Sequence, residues 1–352
     1  MMSQVYDNPM GTDGFEFVEY AAPDPKLLHT LFRNMGFSPV AKHRKRAITL
    51  YRQNNINFLV NEEPDSFAAD FAKKHGPCAV GFAVRVKDRK KAFSLALDKG
   101  AMKITHKPGS LALDTAMIKG IGGSILYMVD GYDKGDVYAA EYDYAKGVDR
   151  HPKGVGLTYI DHLTHNVNQG EMNTWAGYYE RLFNFHEIRY FDIKGTKTGL
   201  FSRAMTSPDG KVRIPLNESA DDKSQIAEYL RQYHGEGIQH VALFTENIYD
   251  TVETMKRNQV EFLDTPDAYY EMVDERVPNH GEDLARMRKN KILIDADMED
   301  RSKQLLQIFT QNCIGPIFFE IIQRKGNEGF GEGNFRALFL AIERDQMKRG
   351  VL

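Results

Sequence analysis

Two histidines and one glutamate, far apart in the chain, sit in stretches that otherwise read as buried strands. His162 lies in YIDHLTHNV (159–167), His240 in GIQHVALFT (237–245) and Glu320 in GPIFFEIIQR (315–324). Side chains alternate along a strand, so His162 shares a face with Ile160, Thr164 and Asn166, while Asp161 and His165 point the other way. His162 and His165 therefore cannot chelate one ion from a regular strand. By the same alternation His240 lies with Ile238, Ala242 and Phe244, and Glu320 with Phe318 and Ile322. An isolated carboxylate inside FFEII is costly unless its pKa shifts or it takes a cation. Two histidines and one carboxylate leave coordination positions open, which is the donor set of non-haem Fe(II) sites that activate oxygen. Zinc held by the same trio is the competing chemistry. The helical HExxH signature of zinc hydrolases is absent from the sequence, which favours iron.

The elements that must position these residues recur. CAVGFAVRVKDRKKAFSLALDKGA (78–101) and GIQHVALFTENIYDTVETMKRNQV (237–260) each give a strand, a polar turn and an amphipathic helix. The turns are Lys87-Asp88 and Glu246-Asn247. The helices carry apolar residues at helical spacing: Ala92, Leu95 and Ala96 in one, Ile248, Val252 and Met255 in the other. GSILYMVDGY (123–132) parallels GPIFFEIIQR, and the strand–turn–helix of residues 15–37 parallels that of 159–185. An α+β fold follows, with two modules of paired βαβββ units that curl into half-open barrels. The boundary falls in the charged, Gly-containing stretch 133–154, giving a first module over 1–150 and a second over 151–352. Residues 207–237 read as an insertion in the second half, and 326–352 as a C-terminal extension. The Gly-rich run in that extension lacks the strand-before context of a phosphate loop and reads as a flexible approach to a helix bearing Phe335, Leu338, Phe339 and Ile342 on one face.

The repeat supplies an internal control. The aligned positions in the first half are Phe17, Gly81 and Met128, none of them a metal ligand. One module is thus expected to hold a metal and the other to have lost the site. The remaining histidines, His29, His43, His75, His106, His151, His186, His234 and His280, lie in polar contexts and read as solvated or capping.

Bulk properties narrow the function classes. A net charge of −3 gives no pull toward nucleic acid or an anionic membrane. The two cysteines, Cys78 and Cys313, make neither a disulfide framework nor a Cys-type zinc site. The first residues show no basic-then-apolar signal, and no apolar run is long enough to span a membrane. A cytoplasmic enzyme or binding protein is the expectation.

Taken as an ordered set, YIDHLTHNV, GEGIQHVAL, LLQIFTQ, GPIFFEIIQRKG and GFGEGNFRALF resemble the 4-hydroxyphenylpyruvate dioxygenase family, and DGFEFVEYAAPDP extends the likeness into the first half. The resemblance implies the vicinal oxygen chelate architecture, one Fe(II) per chain on His162, His240 and Glu320, and a C-terminal helix closing the active site. It implies an aromatic keto acid and O₂ as substrates. Oxidative decarboxylation, ring hydroxylation and side-chain migration would give homogentisate and CO₂ in tyrosine and phenylalanine catabolism. It places substrate contacts on Ser202, Asn217, Gln225, Gln239 and Gln307, with Phe309, Phe318, Phe330, Asn334 and Phe335 lining the pocket. Gln239 strains this assignment, because alternation puts it on the face opposite His240. The family also implies a homo-oligomer, dimer or tetramer.

Three alternatives share the fold. Hydroxymandelate synthase departs from the dioxygenase at the positions of Asn217 and Phe335, and both keep the dioxygenase type here. An extradiol dioxygenase needs further acid–base histidines on the inner faces, and none is read there. A metal-free binding protein would not need the intact ligand trio.

Overall fold

A computed structural model describes residues 6–105, 112–194, 199–297, 299–331, 333–334, 346–347 and 349–350. Phe335 lies outside the described residues, as do Leu338, Phe339 and Ile342 of the expected C-terminal helix, and His106.

The first sheet holds β1 (Thr12–Ala21), β2 (Ser38–His43), β3 (Ile48–Gln53), β4 (Ile56–Asn61), β5 (Cys78–Val86), β6 (Ala116–Lys119), β7 (Ile125–Val129) and β8 (Tyr142–Tyr144). Its order is β6-β7-β5-β1-β4-β3-β2-β8. The second holds β9 (Leu157–Val167), β10 (His186–Lys194), β11 (Gly199–Thr206), β12 (Arg213–Ser219), β13 (Gly237–Thr245), β14 (Leu293–Ala296), β15 (Gln304–Phe309) and β16 (Phe318–Lys325). Its order is β10-β11-β12-β9-β13-β16-β15-β14. Pairing senses repeat as well. β1 runs parallel to β4 and antiparallel to β5, as β9 does to β12 and β13. Each sheet is a half-barrel with helices packed outside. The polar turns read from sequence are helix caps: Asp88 accepts from the Lys91 amide and Asn247 from the Asp250 amide.

The structure moves the insertion. Residues 207–237 contain β12 and the helix Gln225–Gln232, the counterparts of β4 and the helix Phe67–His75. The strand was hard to read because Asn217 and Ser219 break its apolar pattern with buried polar groups. The extra material of the second half lies between the helix Ile248–Arg257 and β15. It carries the helices Asp267–Glu271, Val273–Arg276 and Leu284–Asn290 together with β14.

Strand register also revises the internal control. Phe17 pairs with Ala83 as His162 pairs with Ala242, and Gly81 pairs with Glu19 as His240 pairs with Thr164. Ala83 then pairs with Tyr127, where Ala242 pairs with Glu320. The counterpart of Glu320 is Tyr127, not Met128. Phe17 and Tyr127 fill the first cup with rings 5.0 Å apart, and the Tyr127 hydroxyl donates to buried Glu19 at 2.6 Å. Gly81 has no room for a side chain, because a Cβ there meets the Ile125 carbonyl.

Two histidines expected in solvent are buried. His75 sits 2.5 Å through Nδ1 from the Tyr233 carbonyl oxygen, and His43 lies against Glu141. Both flank contacts between distant segments, which polar local sequence does not reveal.

One apolar core joins the modules. Phe319 on β16 reaches into the first module, with ring centroids 5.8 Å from Phe58, 6.4 Å from Tyr20 and 6.5 Å from Phe32. Phe319→Ala is expected to cost about 3–5 kcal/mol and to leave one cooperative transition in urea followed by fluorescence. Two separate transitions would show that the shared core does not couple the halves.

Candidate metal centre and pocket

β9, β13 and β16 are neighbours in mid-sheet, so His162, His240 and Glu320 come from adjacent strands. Glu320 Oε2 lies 3.2 Å from His162 Nε2 and 3.4 Å from His240 Nε2, and the two Nε2 atoms are 3.4 Å apart. All three side chains are buried.

The second atom of each group is already engaged. His162 Nδ1 lies 2.8 Å from Asp161 Oδ1, and His240 Nδ1 lies 3.0 Å from Gln239 Oε1. Both partners are acceptors, so each Nδ1 carries the proton and each Nε2 presents a lone pair. Glu320 Oε1 accepts from Gln307 Nε2 at 2.6 Å, which leaves Oε2 facing the imidazoles. Among the described residues the only other close donor is the Thr164 hydroxyl, 3.0 Å from His240 Nε2. Three lone pairs converge in a buried space, and a divalent cation fits this donor set.

Two irregularities make the geometry. Ile238 pairs with His165 and His240 with Thr164, so Gln239 is an extra residue on β13. Ala242 pairs with His162 and Leu243 with Ile160, so Asp161 is an extra residue on β9. A bulge turns its side chain away from strict alternation. Gln239 therefore lines the pocket beside His240, which removes the strain that alternation predicted. The bulge at Asp161 also takes Ile160 off the face of His162. Ile160 and Phe244 face a cleft between the modules together with Tyr159, while Thr164 and Phe318 face the metal centre.

The two imidazoles differ electrostatically. Burial pushes the Asp161 carboxyl up, but Arg324, donating at 2.7 and 2.8 Å, outweighs it and holds Asp161 well below the usual carboxylate range. Burial lowers His162, but Glu320 and Asp161 outweigh it and raise its pKa. His240 faces a neutral amide instead of a carboxylate, and burial lowers it. Burial also opposes ionisation of Glu320, yet the imidazoles hold it at about 2.

The pocket beside the trio is lined by Ser202, Gln225, Gln239, Gln307, Phe309, Phe318 and Phe330. Phe318 stacks on His240 with centroids 4.9 Å apart, and Phe330 meets His162 edge-on at 5.4 Å. Asn217 is buried next to them, its Nδ2 3.4 Å from Gln239 Oε1, and it pairs across the ladder with Ser202. Ser202 Oγ and Asn217 Oδ1 have no hydrogen-bond partner among the described residues. Asn334 is buried and donates to Gln307. Sequence reasoning missed Phe191 and Pro215. Pro215 lies two residues before Asn217 on one strand face, a signal that was available; Phe191 had none. Among the described lining residues His162 and His240 are the only histidines, so the extra acid–base histidine of an extradiol enzyme is not among them.

Within the Gly-rich run, Gly331 serves close approach. Gly331 has φ +72°, and a Cβ there collides with Gln307 Oε1.

Residues 6–144 match the family described as hydroxyphenylpyruvate dioxygenase, N-terminal, and residues 159–272 match the glyoxalase/bleomycin resistance protein/dioxygenase superfamily. Two half-barrels with a His/His/Glu centre in the second place the chain in this class of vicinal oxygen chelate proteins. Over 98% of its length the chain is 55% identical to 4-hydroxyphenylpyruvate dioxygenase of Pseudomonas aeruginosa, covering 97% of that protein. It is 57% identical to hemolysin VllY of Vibrio vulnificus, with 98% of each chain covered. A solved xylose isomerase-like TIM barrel/4-hydroxyphenylpyruvate dioxygenase fusion protein superposes with TM-score 0.82 at 28% identity; 98% of this chain matches 55% of that longer one. A 4-hydroxymandelate synthase mutant from Streptomyces coelicolor gives 0.81 at 24% identity, with 95% of this chain and 99% of that one covered, a likeness of fold. The chain belongs to the 4-hydroxyphenylpyruvate dioxygenase family.

Asp161→Asn removes the anion that both Arg324 and His162 use. Divalent metal binding, measured by calorimetry with Co(II), is expected to weaken about 10–100-fold. Unchanged affinity would show that the Asp161 contact does not support the centre.

Proposed function

We infer that the chain is an Fe(II)-dependent dioxygenase that converts 4-hydroxyphenylpyruvate and O₂ to homogentisate and CO₂. The observation that carries this reading is the buried His162/His240/Glu320 triangle in a chain 55% identical over nearly its full length to a 4-hydroxyphenylpyruvate dioxygenase. One Fe(II) per chain is held by these three residues in the second module, 151–352; the first, 1–150, takes no part in the chemistry.

When bound, Fe(II) supplies oxygen activation and open positions for a chelating keto acid. The chain's own residues orient the substrate. Ser202 Oγ and Asn217 Oδ1, both buried and without partners among the described residues, are matched to polar atoms of the substrate. Gln225, Gln239 and Gln307 add amides. Phe309, Phe318 and Phe330 stack against an aromatic ring and exclude water from a reactive oxidant. Phe335 completes the lining in this reading, and Asn334 acts from behind Gln307. The balance is simple: the keto acid loses CO₂, one oxygen atom enters the new carboxylate and the other enters the ring.

The test is anaerobic loading with Fe(II), then 4-hydroxyphenylpyruvate and O₂, with product identified by chromatography and mass spectrometry. Homogentisate is expected. Hydroxymandelate would overturn the assignment of which carbon is oxidised. Glu320→Gln is expected to keep the fold by circular dichroism and to abolish O₂ consumption; wild-type turnover would remove Glu320 from the centre. Light scattering tests the dimer or tetramer implied by the family.

A further inference from the structure

A continuous hydrogen-bond chain runs from Glu320 into the extra segment found only in the second module. Gln307 Nε2 donates to Glu320 Oε1 at 2.6 Å, and Asn334 Nδ2 donates to Gln307 Oε1 at 3.0 Å. The Tyr269 hydroxyl donates to Asn334 Oδ1 at 2.8 Å. Arg276 Nη2 and the Ile294 amide both donate to the Tyr269 oxygen, at 2.6 and 2.8 Å. Asn334 and Gln307 are fully buried.

The direction of every bond in this chain is determined by its ends. A guanidinium and a backbone N–H can only donate, and an ionised carboxylate can only accept. The two donors fill both lone pairs of the Tyr269 oxygen. Its single proton then has two acceptors in reach, Asn334 Oδ1 and the Ile294 carbonyl at 3.0 Å. Arg276 shares that carbonyl at 2.7 Å, and Asn334, facing an oxygen whose lone pairs are both filled, can only present Oδ1 as an acceptor to it. Asn334 accepting through Oδ1 must donate through Nδ2, and Gln307 must then turn its N–H toward Glu320. An amide that rotated by half a turn would set oxygen against oxygen at the next link.

We propose that Tyr269, with Arg276 behind it, is a positioning residue that sets the amide orientation of Asn334 and Gln307 and thereby keeps Glu320 a ligand through Oε2 alone. The inference rests on the metal-centre reading above. It assigns a task to the extra segment: Tyr269 and Arg276 come from the helices Asp267–Glu271 and Val273–Arg276, and Ile294 from β14. The first module has no carboxylate ligand at the corresponding position, where Tyr127 stands.

The experiment is calorimetric titration of the full-length, metal-free protein with Co(II), repeated for Tyr269→Phe, Asn334→Ala and the double variant. Tyr269→Phe keeps the ring and its packing and removes only the hydroxyl. It is expected to weaken Co(II) binding about tenfold and to change the visible absorption of the bound Co(II), with the metal-free thermal midpoint retained. In the Asn334→Ala background the same substitution is expected to add no further loss, because the path to Gln307 is already cut. Unchanged affinity in Tyr269→Phe, or an equal loss in both backgrounds, overturns the proposal. Failure of the underlying reading is distinguishable, because it appears in the wild-type titration as no Co(II) uptake.

Discussion

Three buried lone pairs, two on imidazole nitrogens and one on a carboxylate oxygen, face one another within 3.4 Å. Without a proton or a metal ion between them this arrangement is repulsive, and burial sharpens the repulsion because little solvent screens it. The protein nevertheless enforces it. Asp161 and Gln239 occupy each Nδ1, and Gln307 occupies the second carboxylate oxygen, so no ligand atom is free to turn away. Most of what surrounds the centre is explicable as the means of holding those three atoms in place.

The holding devices are backbone irregularities as much as side chains. A regular strand cannot present a histidine and its neighbour to the same site. The bulges at Asp161 and Gln239 allow it, one on each of two adjacent strands. They differ in charge, carboxylate against amide, so the two histidines are unequal donors before any metal binds. Arg324 keeps the carboxylate ionised and also ties down the loop toward Gly331 through the Asn327 and Gly329 carbonyls. The first module shows the same topology without these demands. Its cup is filled by Phe17 and Tyr127, and Gly81 leaves no space for a ligand side chain.

Much of this was legible in the sequence. Strand alternation and an internal repeat singled out His162, His240 and Glu320, and the turn residues Asp88 and Asn247 proved to be helix caps. What failed has physical causes. Bulges are invisible to a period-two reading, so Gln239 was placed on the wrong face and Ile160 on the face of His162. A strand that lines a polar pocket loses its apolar pattern, so β12 was read as part of an insertion. Aligning GSILYMVDGY by its glycine gave Met128, whereas strand pairing gives Tyr127. The burial of His75 depends on Tyr233, a partner far away in the chain. The close approach at Gly331 was not legible, because sequence shows the missing Cβ but not Gln307 beside it.

The most direct measurement of the central claim is iron stoichiometry after anaerobic equilibrium dialysis against Fe(II), compared between the wild type and the double substitution His162→Ala, His240→Ala. The account predicts one iron retained per wild-type chain and none in the variant, with both proteins folded. A variant that retained its iron would place the metal elsewhere and contradict the account.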